Sequence, residues 1–177
     1  DGDNEFVVTG KYGDSSYDYG TYIYVNNDTA FAEIAGELPG VYYNSAHWAD
    51  FDNDGDQDML VSGEYPFSTT GRTNIYKNNG NYQFVSVALP FSVETGQAAW
   101  ADFDNDGDFD IAITGDNYYF DEISRIFVNN NGTFSEYGNY LPGLMNSCIS
   151  WVDADNNKIL DLLISGENHS GKHNYFY

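Results

Sequence analysis

The chain has 177 residues carrying 28 acidic and only six basic side chains, a formal net charge of −22. So few Lys and Arg argue against nucleic acid as a partner, because phosphate recognition needs cations. An apolar share of 41%, with 16 Tyr and 12 Phe, favours a folded, strand-rich domain over a disordered acidic tail.

No apolar run reaches the roughly 18 residues of a membrane span, so no membrane insertion is expected. The opening DGDNEFVVTG lacks the basic-then-apolar order of a signal peptide, as a mature or excised segment also would. A single cysteine, Cys148, excludes an internal disulfide framework and leaves bound metal as the obvious staple.

From the start, residues 1–10 place two acids, Asp1 and Asp3, and then Glu5 ahead of an apolar strand ending in Gly10. A Tyr-rich stretch follows at 11–22, then TYIYVNN at 21–27, Phe31 and Leu38-Pro39. At Trp48 the run WADFDNDGDQD begins, followed by MLVSG at 59–63, TNIYKNNG at 73–80, a strand around Phe84 and Leu89-Pro90. At Trp100 the sequence repeats as WADFDNDGDFD, with IAITG at 111–115, a second Tyr-rich stretch at 115–122, SRIFVNNNG at 124–132 and Leu141-Pro142. A third run, WVDADNNKILD, opens at Trp151 and leads into LLISG at 162–166 and HNYFY.

The three Trp residues are 52 and 51 positions apart, and each has an Asp ten residues later, at Asp58, Asp110 and Asp161. Self-similarity at this period marks a repeat architecture. Within a unit the periodicity is that of strands: Met59 and Val61 alternate with Leu60 and Ser62, while Asn-Asn-Gly turns predict tight hairpins. The fold class expected is all-β, with propeller-type blades of four antiparallel strands in about three and a half repeats. The units are 1–47, a partial first blade starting inside its acidic loop; 48–99; 100–150; and 151–177, the start of a fourth. Such a number does not close a ring. The chain is expected to be part of a longer array, or to need other copies to cover its end faces.

Sixteen of the 28 acids fall in the three runs and the truncated opening one. Asp50, Asp52, Asp54 and Asp58, with Gly55 permitting the turn, converge on one point. Asp102, Asp104, Asp106 and Asp110 do the same around Gly107. Oxygen-only ligands of this number fit Ca²⁺; Mg²⁺ keeps more water, and Zn²⁺ calls for His or Cys. Asp56 and Asp108 sit where a backbone carbonyl is the usual ligand, so their side chains add field rather than coordination. In the third run Asp153, Asp155, Asn157 and Asp161 keep four oxygen ligands, but Lys158 replaces the glycine and its amine is an alternative occupant. Asp1, Asp3 and Glu5 form a weaker, truncated set. The competing readings are a metal-free acidic turn and a helix-flanked EF-hand; strands beside the loops and the early closing acid exclude the second.

These residues, from WADFDNDGDQDMLVSG to NIYKNNGNYQF, resemble the FG-GAP or VCBS-type repeat of integrin α-subunit-like propellers. The resemblance covers essentially the whole chain. It implies blades with Ca²⁺ held between the first two strands, and an extracellular role in adhesion, recognition or scaffolding.

The function expected is therefore a non-catalytic, extracellular calcium-binding module. Its partners would be other repeats or copies, or an extracellular protein or glycan. Two alternatives stand beside it: a lectin-like module using the Tyr-rich stretches, or an accessory domain of a secreted enzyme. His47, His169 and His173 are scattered without nucleophile or metal spacing, and the paired acids are accounted for by metal ligation, so no catalytic residue is assigned. Asn27, Asn131 and Asn168 each begin a glycosylation acceptor sequence.

Overall fold

The computed structural model describes residues 5–14, 19–64, 72–117, 121–138 and 141–177. Among them there are strands and no helix. The first sheet is β1 (Phe6–Lys11), β2 (Tyr19–Asn26) and β3 (Phe31–Pro39). The second is β4 (Tyr42–Ala49), β5 (Asp58–Glu64), β6 (Arg72–Asn78) and β7 (Phe84–Ala88). The third is β8 (Gln97–Ala101), β9 (Asp110–Asp116), β10 (Glu122–Asn130) and β11 (Thr133–Glu136). The fourth is β12 (Met145–Val152), β13 (Asp161–Asn168) and β14 (Gly171–Phe176). In every sheet, strands that follow one another in sequence lie side by side and antiparallel. The expected all-β chain of successive blade-like sheets is what the molecule adopts.

Strand alternation explains the stacking. In β5, Met59 and Val61 pack with Ile23 and Val41 towards the first sheet. Leu60, between them, points the other way and packs with Val93, Ala98 and Ile111 of the third-sheet side. In β9, Ile111 and Ile113 face back towards the second sheet, whereas Ala112 packs with Ile149, Leu162 and Ile164 of the fourth. A strand buried on both faces has to be apolar at successive positions, which is why MLV and IAI carry no polar residue. Full burial of one such side chain stabilises by roughly 1.5–3 kcal/mol, so the three layers between sheets carry the fold.

The first strands of successive sheets also lie next to one another, β4 against β8 and β8 against β12. They are not joined by a ladder. Instead the Ala98 amide donates to Ser45 Oγ at 3.1 Å, and the Ile149 amide to Gln97 Oε1 at 3.3 Å. The connection into β8 passes so close to β9 that a side chain at Gly96 would meet the Thr114 carbonyl oxygen at 1.8 Å. Trp48, Trp100 and Trp151 are each the next-to-last residue of the first strand of their sheet. The acidic runs are therefore the loops from first to second strand of the second, third and fourth sheets.

Candidate metal centres

The three acidic loops share one backbone path. Asn53, Asn105 and Asn156 are left-handed, with φ of 58°, 61° and 60°, and so are Gly55 at 94° and Gly107 at 96°. Asn tolerates this region better than most residues. Lys158 occupies the glycine position at φ 70°, so the third loop keeps the path at the expense of backbone strain.

The path aims backbone amides at the carboxylates. Asp50 accepts from the amides of Asp54 (3.0 Å) and Gly55 (2.9 Å); Asp102 accepts from Asp106 (3.0 Å) and Gly107 (3.2 Å). Asp153 does likewise from Asn157 and Lys158, both at 3.0 Å. At the far side of each loop the closing Asp lies at the start of a buried strand. Asp58 accepts from Phe51 (3.0 Å) and Asn78 (2.8 Å), and Asp110 from Phe103 (3.1 Å) and Asn129 (2.8 Å). Asp161 accepts from Ala154 at 2.9 Å.

Three carboxylates thereby meet in each loop. Asp50, Asp52 and Asp58 bring one oxygen each within 4.8 Å of the others, as do Asp102, Asp104 and Asp110, and Asp153, Asp155 and Asp161. Asp58 and Asp110 have no exposed surface. Burial pushes both carboxyls up to about 6; the amide hydrogen bonds oppose the shift, while Asp52 and Asp54, or Asp104 and Asp106, add to it. In the first loop Asp52 Oδ1 is buried and has no hydrogen-bond partner. Asp52, a member of the triad, thus keeps one buried oxygen without a partner, and a donor set of carboxylate oxygens alone fits calcium.

The other predicted ligands are placed differently. Asp54 and Asp106 lie outside the convergent triads and cap the turn, each accepting the amide two residues on, at 3.0 and 2.9 Å. Asn157 does the same for Ile159 at 2.7 Å. Asp108 is a bridge: it accepts from Asn53 Nδ2 of the neighbouring loop at 3.3 Å and from the Asn131 amide at 2.9 Å. Asp56 donates its own amide to Asp54. Glu5 accepts from the Tyr82 hydroxyl at 3.3 Å, which ties the first sheet's leading edge to the second sheet; Asp1 and Asp3 lie outside the described residues. Among the described residues the Lys158 amine makes no ion pair with the carboxylates of its loop.

Three further sets of contacts hold the loops. Lys77, on β6, ion-pairs with Asp52 and reaches Asp54 at 3.1 Å, and so brings a positive charge into a loop that contains none. Asn78 and Asn129, the first residues of the Asn-Asn pairs, clamp the closing Asp and also fix the hairpin turn: Gly80 and Gly132 donate to their side-chain oxygens at 3.1 and 2.8 Å. Phe51 stacks on Trp100 and Phe103 on Trp151, with centroids 5.9 and 5.8 Å apart, pinning the first and second loops to the next sheet. Phe recurs in the first two runs and Asn-Asn at the hairpin turns, which marks these positions in the sequence without revealing their partners.

A family model for the FG-GAP-like repeat matches residues 102–164. This segment is similar to the FG-GAP-like repeat. It runs from the first Asp of the second loop through the third sheet to the middle of β13, so the matched segment contains two complete acidic loops. The 50–58 loop precedes the matched segment and has the same geometry. No curated protein matches the chain.

Of the remaining predicted positions, His47 is exposed, and its carbonyl accepts from Trp100 Nε1 at 3.4 Å. His169 pairs with Glu122, and His173 bonds Asn168 at 2.9 Å. The Tyr-rich stretches lie in part outside the described residues, at 15–18 and 118–120. Where they are described, Tyr12 is exposed against Tyr22, and Asp116 is buried, accepting from the Thr95 amide at 3.1 Å. Asn27 and Asn131 are exposed at hairpin turns, whereas Asn168 is half-buried.

Proposed function

We propose that the chain is a calcium-stabilised, non-catalytic repeat module that works outside the cell in adhesion, recognition or structural assembly. The observation that carries this reading is the buried, unpartnered Asp52 Oδ1 inside a triad of carboxylates whose backbone is repeated loop by loop. Asp50, Asp52, Asp54 and Asp58 would hold one ion; Asp102, Asp104, Asp106 and Asp110 would hold another. Bound calcium would neutralise oxygens that otherwise repel and would tie the first strand of a sheet to its second. The third loop is a weaker site, because Asn157 lowers its charge and Lys158 adds strain and a cation. An extracellular setting suits open carboxylate sites, since calcium there is abundant enough to fill sites of about 10⁻⁴–10⁻³ M affinity. With one cysteine in the chain, metal takes the role that disulfides have in other secreted domains. The partner we infer for the end sheets is another repeat of the same kind, supplied by a second copy.

Melting curves in calcium and in EGTA test the reading. A ligand at 100-fold excess over its Kd stabilises by about 2.7 kcal/mol per site. At about 2–4 °C per kcal/mol for a chain of this size, two sites lower the midpoint by roughly 10–20 °C on chelation. Identical curves in the two buffers would remove calcium from the account.

A further inference from the structure

The first and second loops agree in backbone path, in the triad and in the closing clamp, yet they differ by one charge. Asn78 and Asn129 make the same amide bond to Asp58 and Asp110, so the residues before them, Lys77 and Val128, occupy equivalent positions. Lys77 turns its ammonium onto Asp52 and Asp54. Val128 offers nothing to the second loop, and among the described residues no Lys, Arg or His pairs with Asp102, Asp104, Asp106 or Asp110.

We propose that Lys77 is a tethered counter-ion of the first loop, which calcium has to displace, so that the 102–110 loop binds calcium more tightly than the 50–58 loop. The inference rests on the calcium reading above and adds an order of filling to it. The ammonium engages Asp52 through Oδ2 and leaves Oδ1 buried without a partner, so it neutralises the loop from one side without filling it. A monovalent point charge with three donors cannot serve three converging carboxylates as a dication can. The two cations repel each other across the same carboxylates. Lys77 is 28% exposed on a flexible four-carbon stem, so its head can swing into water when calcium enters. Without calcium the pairing holds the first loop in its folded path, while the second loop has five acids and no such support. The first loop then responds to changes in calcium over a range where the second stays filled.

Calorimetric titration of the whole chain with calcium chloride tests this, using the wild type, Lys77→Met, Val128→Lys and Asp104→Asn. Asp104→Asn disables the second loop and so identifies the heat of the first. The wild type should show affinities for the two loops at least tenfold apart. K77M should tighten the weaker by at least tenfold, and V128K should weaken the tighter by a similar factor. Melting in EGTA adds a readout independent of binding: K77M should melt lower than the wild type without calcium and no lower with it. Equal affinities in the wild type, or a first-loop affinity unmoved or weakened by K77M while calcium still binds, would overturn the role of Lys77 alone. No binding heat in any variant would overturn the calcium reading with it.

Discussion

Asp58 and Asp110 begin their strands with no exposed surface, and ionising them there means keeping a charge out of water. Each receives two backbone amides, yet burial prevails and both carboxyls stand at about 6 instead of 3.8. The sign follows from linkage. Without metal the folded chain holds these protons more tightly than the unfolded chain does, so the stabilisation is complete below the unfolded value and is lost as pH rises through about 6. Relief of the general −22 charge on acidification acts in the same direction. Metal-stripped protein is expected to melt higher near pH 5 than near pH 7.5. The calcium proposed above would bind the ionised form, so in excess calcium the order is expected to reverse and the affinity to fall as pH drops through about 6. Scanning calorimetry at the two pH values, with and without calcium, checks both halves. A metal-free chain that loses stability on going from neutral to mildly acid pH would contradict the burial argument.

At the level of elements, each loop is held by the hairpin opposite. Asn129 is fully buried; its side-chain amide donates to the carbonyls of Phe109 at 3.1 Å and Phe51 at 3.4 Å and its oxygen accepts from the Gly132 amide at 2.8 Å, while its backbone amide holds Asp110. Replacing it with Ala keeps the backbone bond and strands the other three groups. Leaving buried partners unpaired costs about 1–3 kcal/mol, and Asn129→Ala is expected to lower the unfolding free energy by that amount in urea, in calcium and in EGTA alike. A loss seen only in calcium would make Asn129 part of the metal site instead. None of this clamp was legible in the sequence beyond the turn itself, because it depends on which residue of β10 lies beside the end of β9. The alternation in MLV and IAI and the Asp at every second position each mark a feature within ten residues of chain, and the Trp spacing of 52 and 51 residues is legible as self-similarity of the sequence alone. Lys77 is 25 positions from Asp52 and meets it only through the register of β5 against β6. The Phe51–Trp100 stack needs the packing of two sheets. Contacts of that kind follow from tertiary geometry, not from composition or period.

Across the whole molecule, the repeat makes the two end sheets informative. In the interior, Leu60 and Ala112, which face the following sheet, have no exposed surface; Leu163 holds the same position in β13 and is 41% exposed. Ile111 and Ile113 face the preceding sheet and are buried; Phe6 and Val8 hold those positions in β1 and are 40% and 49% exposed. Phe31 packs edge-on against Phe6, itself stacked on Tyr24, which extends the apolar area on one end. Phe176 and Val152 are exposed large apolar residues of the other end sheet. The two surfaces resemble the halves of the contact that successive sheets make three times within the described chain. If a second copy covers them, as proposed above, two different surfaces would join head to tail, and the product would be a ring or a filament according to whether the rotation closes. Sedimentation velocity in calcium is expected to show association that grows with concentration. Leu163→Lys should weaken it at least tenfold, and Phe6→Lys should do the same from the other side, because a charge would be buried against apolar surface in either case. Mixing the two single variants should not restore assembly beyond a capped pair, since each retains one intact end and only one productive contact. Leu163→Lys, at an exposed position, should melt as the wild type does; Phe6→Lys gives up its ring contacts with Tyr24 and Phe31 and should melt lower, with the same shift between calcium and EGTA. A wild-type chain that stays monomeric in calcium at high micromolar concentration would show that a second copy does not cover these faces.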